Sequence, residues 1–281
     1  MLVWISHTFL GLFFFCGTLF LIFFFNISKK DIRGLLDDES IINDIVPSTF
    51  KQYNTDQMIQ VENGGHKLLI APQGEVSGNE YIDPHSKQVI TFDHITHEVT
   101  GTRDLEGELD QDVEPFRQAL QEVATHYTSE HYKWGTCGVY SKKEGGNYVL
   151  LLCISSAKFE PKNFWTGRWR STWTISFPAG GNGNVTCNGK ARIDVHYYED
   201  GNVQLNASHD LNAPAKGGAA AALAKSVIEA IKKSEHAYHE IISENINNMN
   251  SSSYKSLRRQ LPITGSLIDW DKIGTLKMGG K

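Results

Sequence analysis

Residues 168–177, Arg-Trp-Arg-Ser-Thr-Trp-Thr-Ile-Ser-Phe, alternate with a period of two. Trp169, Ser171, Trp173, Ile175 and Phe177 share one side, and Arg168, Arg170, Thr172, Thr174 and Ser176 share the other. Only an extended chain sends successive side chains to opposite faces, so the spacing predicts a half-buried strand. The same period recurs downstream, where Ala191, Ile193, Val195 and Tyr197 oppose Arg192, Asp194, His196 and Tyr198. Asp200-Gly201 follows, and Val203, Leu205 and Ala207 resume the alternation, which predicts a hairpin. Gly180-Gly181-Asn182-Gly183 separates the two runs and reads as another hairpin tip. It lacks the Gly-Lys-Ser/Thr that would make it a phosphate loop. Strands joined by short turns form an antiparallel meander, and no βαβ alternation is present.

Helical spacing brackets this region. Leu223, Val227, Ile231, Tyr238, Ile242 and Met249 predict one long helix over 217–250. An apolar stripe on so long a rod has to lie along a sheet or against a partner. Asp112 is a candidate cap for a helix over 113–131, with Pro115 near its first turn and a stripe of Phe116, Leu120, Val123 and Tyr127. Residues 29–56 hold short helical patterns, Ile32, Leu35 and Leu36 and then Ile41, Ile42, Ile45 and Val46, with Pro47 as a break. Met58–Val61, Lys67–Ala71 and Gln88–Ile95 read as strands punctuated by Gly64-Gly65 and Asp83-Pro84, and residues 100–112 as an acidic loop. The expected class is α+β: short N-terminal helices, a central antiparallel sheet, and one long helix packed on it.

The first 25 of the 281 residues carry no Lys, Arg, Asp or Glu and hold eight of the 14 Phe. The run is long enough to cross a bilayer as a helix. Lys29, Lys30 and Arg33 follow it, which would leave the body in the cytosol. The alternative is a stretch not native to the mature protein. The net charge of −5 argues against a nucleic-acid binder working through bulk positive charge. Four cysteines (Cys16, Cys137, Cys153, Cys187) form no Cys-x-x-Cys pair, and the last three sit in strand contexts that suit small buried hydrophobes. His94-x-x-His97 and His236-x-x-His239 have ligand-like spacing, but neither carries the Glu of a zinc-protease helix. With no paired acid–base motif either, the expectation is a non-enzyme with no cofactor and no metal.

Charge changes sign at the end. From Tyr254 onward the basic residues are Lys255, Arg258, Arg259, Lys272, Lys277 and Lys281, against Asp269 and Asp271. A cationic tail on an acidic body suits an acidic surface or an anionic lipid. Leu267, Trp270, Ile273 and Met278 fall on one helical stripe, so a short amphipathic helix is expected there, although Gly274, Gly279 and Gly280 weaken it.

Several blocks point the same way: YNTDQ at 53–57, FDH at 92–94, FEPKNFWTGRWRSTWTISF at 159–177, VHYYEDGNVQL at 195–205, ISEN at 242–245 and LRRQLPITGSLIDWDKI at 257–273. In order, across roughly residues 25–281, they resemble the alpha subunits of F-actin-capping protein. The resemblance implies an obligate heterodimer with a beta subunit of the same fold, the two halves sharing one antiparallel sheet. It implies a core over 26–254 and a C-terminal tentacle over 255–281. The dimer would cap actin filament barbed ends in the cytoplasm, at the cortical cytoskeleton, by obstruction without severing. It implies actin contact by basic positions matching Lys255 and Arg259, which would also bind phosphoinositide lipids, with Arg258 beside them. Trp270, Ile273 and Leu276 are the candidate tip residues by pattern. The sequence departs from the family at Gly265, where a basic residue is usual, and in its Gly-rich end; both predict a weaker tip. It departs again over residues 1–24, where the family has a polar helical segment, and the resemblance resumes near Phe25. If the apolar run is a true anchor, the alternative is a membrane-anchored filament adaptor using the same fold.

Overall fold

The computed structural model describes residues 39–105, 111–144, 147–181, 183–199 and 202–248. The apolar run 1–25, the Ile32–Leu36 pattern, the Asp200-Gly201 turn and the tail 255–281 lie outside the described residues.

The predicted meander is the centre of the fold. Strands β7 (Gly135–Glu144), β8 (Asn147–Glu160), β9 (Trp165–Pro178), β10 (Asn184–Tyr197) and β11 (Val203–Asn212) pair antiparallel in sequence order, and β12 (Ala215–Lys216) pairs with β10. Gly180, Gly181 and Gly183 all have positive φ between β9 and β10, as a glycine hairpin tip requires. On β9 the two-residue period appears as burial from Trp173 to Pro178, but Arg168 to Ser171 are buried on both faces. Sequence alternation showed which residues share a face; it did not show that the Arg face is covered too.

That covering comes from the N-terminal half. Helix α1 (Glu39–Asp56) runs straight through Pro47, which the periodicity read as a break. Proline removes one backbone donor and crowds the preceding turn. Val46, Phe50 and Asn54, spaced by four, are buried on one side of the helix, and that packing outweighs the local penalty. Two small sheets follow. The hairpin of β1 (Ile59–Asn63) and β2 (His66–Ile70) turns at Gly64-Gly65, both at positive φ. A four-stranded meander joins β3 (Glu75–Ser77), β4 (Glu80–Asp83), β5 (Gln88–Asp93) and β6 (Glu98–Asp104). Strand β6 therefore occupies the start of the expected acidic loop. Val61, Leu68 and Ile70 of the hairpin meet Tyr81, Ile90 and Phe92 of the meander in one apolar cluster. A second cluster, Met58, Leu69, Ala71, Tyr140 and Cys153, joins the hairpin to the central sheet. Gln60 Nε2 donates to Ser155 O at 2.9 Å and Thr136 Oγ1 to Lys67 O at 2.9 Å across the same seam.

Helix α2 (Glu114–His131) lies against β7, and its cap position falls on Val113 rather than Asp112. Its buried face holds Leu120, Ala124 and Tyr127 together with Arg117 and Gln121. Arg117 is held by Glu114 (2.7 and 2.8 Å) and donates to Pro84 O at 3.2 Å and Val139 O at 3.3 Å, while Gln121 Oε1 accepts from Val139 N at 2.8 Å. Burial alone would raise the Glu114 pKa, but hydrogen bonds from Arg117 and Gln118 outweigh it and hold the carboxyl at about 2. A buried charge survives here because four of the five guanidinium N–H groups find an oxygen and Glu114 supplies the opposite charge.

Helix α3 (Ala220–Asn248) is the predicted long helix. The chain divides into two compact units between Ile231 and Lys232. In the first unit, Leu223, Ala224, Val227, Ile228 and Ile231 are buried. The start of the helix is tied to the sheet by Lys216 N to Ser226 Oγ and Gly218 N to Gly181 O, both 2.8 Å. Gly217 leaves no room for a side chain there: a Cβ would stand 2.5 Å from Gly183 O. In the second unit, Ile241 and Ile246 are exposed and His236 Nδ1 lies 3.9 Å from Glu240. Among the described residues no helix is long and apolar enough to cross a membrane.

Candidate interaction surface

The central sheet is finished on one side and unfinished on the other. The register places Trp165, Tyr197 and Val203 opposite one another, and likewise Gly167, Val195 and Leu205. Residues directly opposite share a face, so these line up with Trp169, Ile193 and Trp173 in one apolar surface. Part of that surface is covered. Tyr132, next to α2, stacks on Trp169 with ring centroids 6.0 Å apart, and Phe116 of α2 meets Phe177 at 5.2 Å. The corner at β10 and β11 is not covered: Val203 is 53% exposed, Val195 38% and Tyr197 37%. Strand β11 pairs only with β10 among the described residues, so its outer row of backbone donors and acceptors faces outward. An apolar sheet face running up to an unpaired edge calls for a protein partner.

The same end of the sheet carries an aromatic and cationic corner. Lys158 Nζ stands 4.3 Å from the Trp134 ring and 5.3 Å from Trp165, with Lys133 at 5.5 Å from Trp134. Trp134 and Phe164 are exposed. Phe164 takes a left-handed turn (φ 56°), accepts from Tyr198 N at 2.9 Å and meets the Tyr198 ring edge-on at 5.8 Å. The two hairpin ends are thereby latched together.

The opposite face of this corner is ionic and buried. Arg170 pairs with Asp194 and donates to Asp56 O, at the end of α1, at 2.6 Å. Arg168 donates to Gln57, and His196 pairs with Asn202 at 2.7 Å. Burial lowers the Arg170 pKa to about 10 against the pull of Asp194, so the guanidinium stays charged at neutral pH. This network fastens α1 beneath the strands that present the bare apolar corner.

The side chains that suggested chemistry have structural surroundings. The Asn54 amide nitrogen is 2.9 Å from His94 O and 3.2 Å from its Nδ1, and Tyr81 OH is 3.1 Å from its Nε2. His94 therefore accepts at Nδ1 and carries its proton on Nε2. Cys137, Cys153 and Cys187 are free and buried, and burial pushes all three thiols up, Cys187 to about 12. Buried thiols of this kind are poor nucleophiles. Among the described residues no three His, Cys, Asp or Glu gather where a metal could bind.

The residues expected to contact actin and lipid (Lys255, Arg258, Arg259, Trp270, Ile273 and Leu276) all lie outside the described residues. The surface that is described, Trp165, Val195, Tyr197, Val203 and Leu205, was not singled out from the sequence. Its signal was present: these residues keep the two-residue alternation in β10 and β11, the last two long strands among the described residues.

Comparison with known proteins agrees with this architecture. A sequence profile described as "F-actin capping protein alpha subunit" matches residues 25–281, so the match begins where the apolar run ends. The chain is 43% identical over 252 residues to the F-actin-capping protein subunit alpha of Dictyostelium discoideum, covering 90% of this chain and 89% of that one. It is 34% identical over 267 residues to the subunit of the same name from Caenorhabditis elegans, covering 91% and 90%. Among solved structures, a homodimeric actin capping protein alpha subunit from Plasmodium berghei shares the fold with a TM-score of 0.72 and 22% identity, over 85% of this chain and 90% of that one. The chain belongs to the F-actin capping protein alpha subunit family.

Proposed function

We propose that this chain is one half of a dimeric cap on the barbed end of the actin filament, blocking subunit addition and loss without severing and without turnover. The observation that carries the reading is the bare apolar corner beside the unpaired edge of β11, in a chain whose relatives are named as capping subunits. A beta subunit of the same fold would extend the sheet along β11 and cover Val195, Tyr197 and Val203. The cationic segment at Lys255, Arg258 and Arg259 would meet acidic actin surface, and Trp270, Ile273 and Leu276 would enter an apolar cleft. Lys255 and Arg259 would also bind phosphoinositide headgroups, which compete for the same charge. The site of action is the cytoplasmic, cortical cytoskeleton.

The test is elongation of actin from filament seeds in the presence of the chain co-expressed with a beta subunit. Substoichiometric dimer should stop barbed-end growth, and unchanged growth in the presence of folded dimer overturns the proposal. Removing residues 257–281 should abolish most capping and leave the dimer intact. Reversing Lys255 and Arg259 to Glu should slow association roughly tenfold, with a steeper effect at low salt. The mass from light scattering distinguishes a beta heterodimer from a homodimer like that of the Plasmodium berghei relative.

A further inference from the structure

One joint of the fold places two imidazoles beside a single buried carboxylate. Asp83, at the end of β4, is fully buried, and both of its oxygens are engaged. Oδ1 accepts from His85 N at 3.0 Å; Oδ2 accepts from Ser86 Oγ at 2.7 Å and from His66 Nε2 at 2.6 Å. His66 belongs to β2, so this bond ties the N-terminal hairpin to the small meander. The His85 ring stands beside the His66 ring, with centroids 5.3 Å apart, and reaches the other way. Its Nε2 lies 3.3 Å from Cys137 O on β7 and 3.3 Å from Gln121 Nε2 on α2. Gln121 Oε1 is taken by Val139 N, so the amide nitrogen, a donor, is what faces the ring. A neutral His85 can accept from it. A charged His85 carries a proton on that same nitrogen and sets donor against donor.

The surrounding groups decide what that proton costs. Burial is the largest effect and pushes the His85 pKa down; Asp83 and the Cys137 carbonyl pull it up; His66 of β2 and Arg117 of α2 push it down. The Cys137 thiol adds no charge, because burial raises its own pKa. Glu114 is spent on Arg117 and Lys87. Beside the joint lies a cavity of about 30 Å³, lined by Asp83, Pro84, Arg117, Val139 and Tyr140, with room for about one water. The interior side of the joint is thus loosely filled.

We infer that His66 and His85, set on either side of the Asp83 turn, form an acid-sensitive latch between the N-terminal half and the central sheet. At neutral pH the latch holds β2 and the 83–87 turn against α2 and β7. Once the joint opens, water solvates the His85 ring and its pKa returns to about 6.5. The open form then binds the proton more readily than the closed one, so falling pH favours opening. Opening exposes Leu69 and Tyr140, which belong to the apolar cluster joining the hairpin to the central sheet. The latch is separate from the β11 corner and does not depend on capping.

The test is native-state amide hydrogen exchange on the full-length chain in its purified dimer, at pH 7.5 and 5.5, with labelling times scaled to equal intrinsic exchange. Peptides over 83–87 and 117–124 should lose protection roughly three- to tenfold at pH 5.5, and peptides over 169–177 should lose less. His85→Gln should remove the local loss. His66→Gln, which takes away the neighbouring imidazole, should shrink it. Equal protection at both pH values overturns the inference, as does an equal fall in every peptide or an undiminished loss in His85→Gln. Should that variant not fold, exchange at the His85 ring Cε1–H of the unaltered protein, followed from pH 5 to 8, decides. A midpoint below the ordinary 6.5 is expected, and one at or above it overturns the inference.

Discussion

Protonating His94 would place a second donor, Nδ1–H, against the Asn54 amide, in a site closed by Tyr81 and Phe92. Burial, with smaller contributions from Lys51 and His97, holds its pKa at about 4. The unfolded value is about 6.5, so between these limits the folded chain binds fewer protons than the unfolded one. The stabilisation is complete above pH 6.5 and is lost as pH falls toward 4. Urea midpoints should therefore be lower at pH 5 than at pH 7. His94→Gln should flatten that dependence without erasing it, because His85 and His97 are shifted down by burial in the same direction. Arg170 and Asp194 test the buried network. Asp194→Ala leaves a buried guanidinium without its partner and should cost about 3–5 kcal/mol in urea unfolding. A cost below about 1 kcal/mol would mean that water reaches the pair.

Elements were legible where one period ran uninterrupted. The β9–β10 and β10–β11 hairpins, α2 and α3 all match their predicted places within a few residues. The strands of the small meander were not: β3, β4 and β6 are built largely from Glu, Ser, Asp, Gly and Thr, and only their neighbours make them strands. The buried face of α2 includes Arg117 and Gln121 because the Pro84 turn and β7 offer Arg117 carbonyls and β7 offers Gln121 the Val139 N–H, and no periodicity in hydrophobicity could report that. Helix α1 is the sharpest case, since its packed face carries it through Pro47. Pro47 itself is exposed. Pro47→Ala restores a helix donor, and should raise stability by roughly 1–3 kcal/mol, read as a higher Tm. An unchanged or lower Tm would show that the stiffness proline gives the unfolded chain matters more.

At the scale of the whole molecule, the exposed apolar corner beside β11 is where the proposed sheet extension is tested. Val203 and Leu205 lie on the bare face of the edge strand, and paired lysines there should block sheet extension. The V203K/L205K variant should shift from dimer to monomer by light scattering while keeping its far-UV circular dichroism. A dimer that survives both charges would place the interface elsewhere. By itself the sequence determined the period of each long element, the order of the central strands, the family, and the charge reversal at the tail. Those are local or cumulative properties that a one-dimensional pattern carries intact. Only the tertiary structure decided which faces are covered. Alternation shows that two faces differ, but whether α1 roofs the arginine face, or nothing among the described residues roofs Val195 and Val203, depends on contacts between residues more than a hundred positions apart.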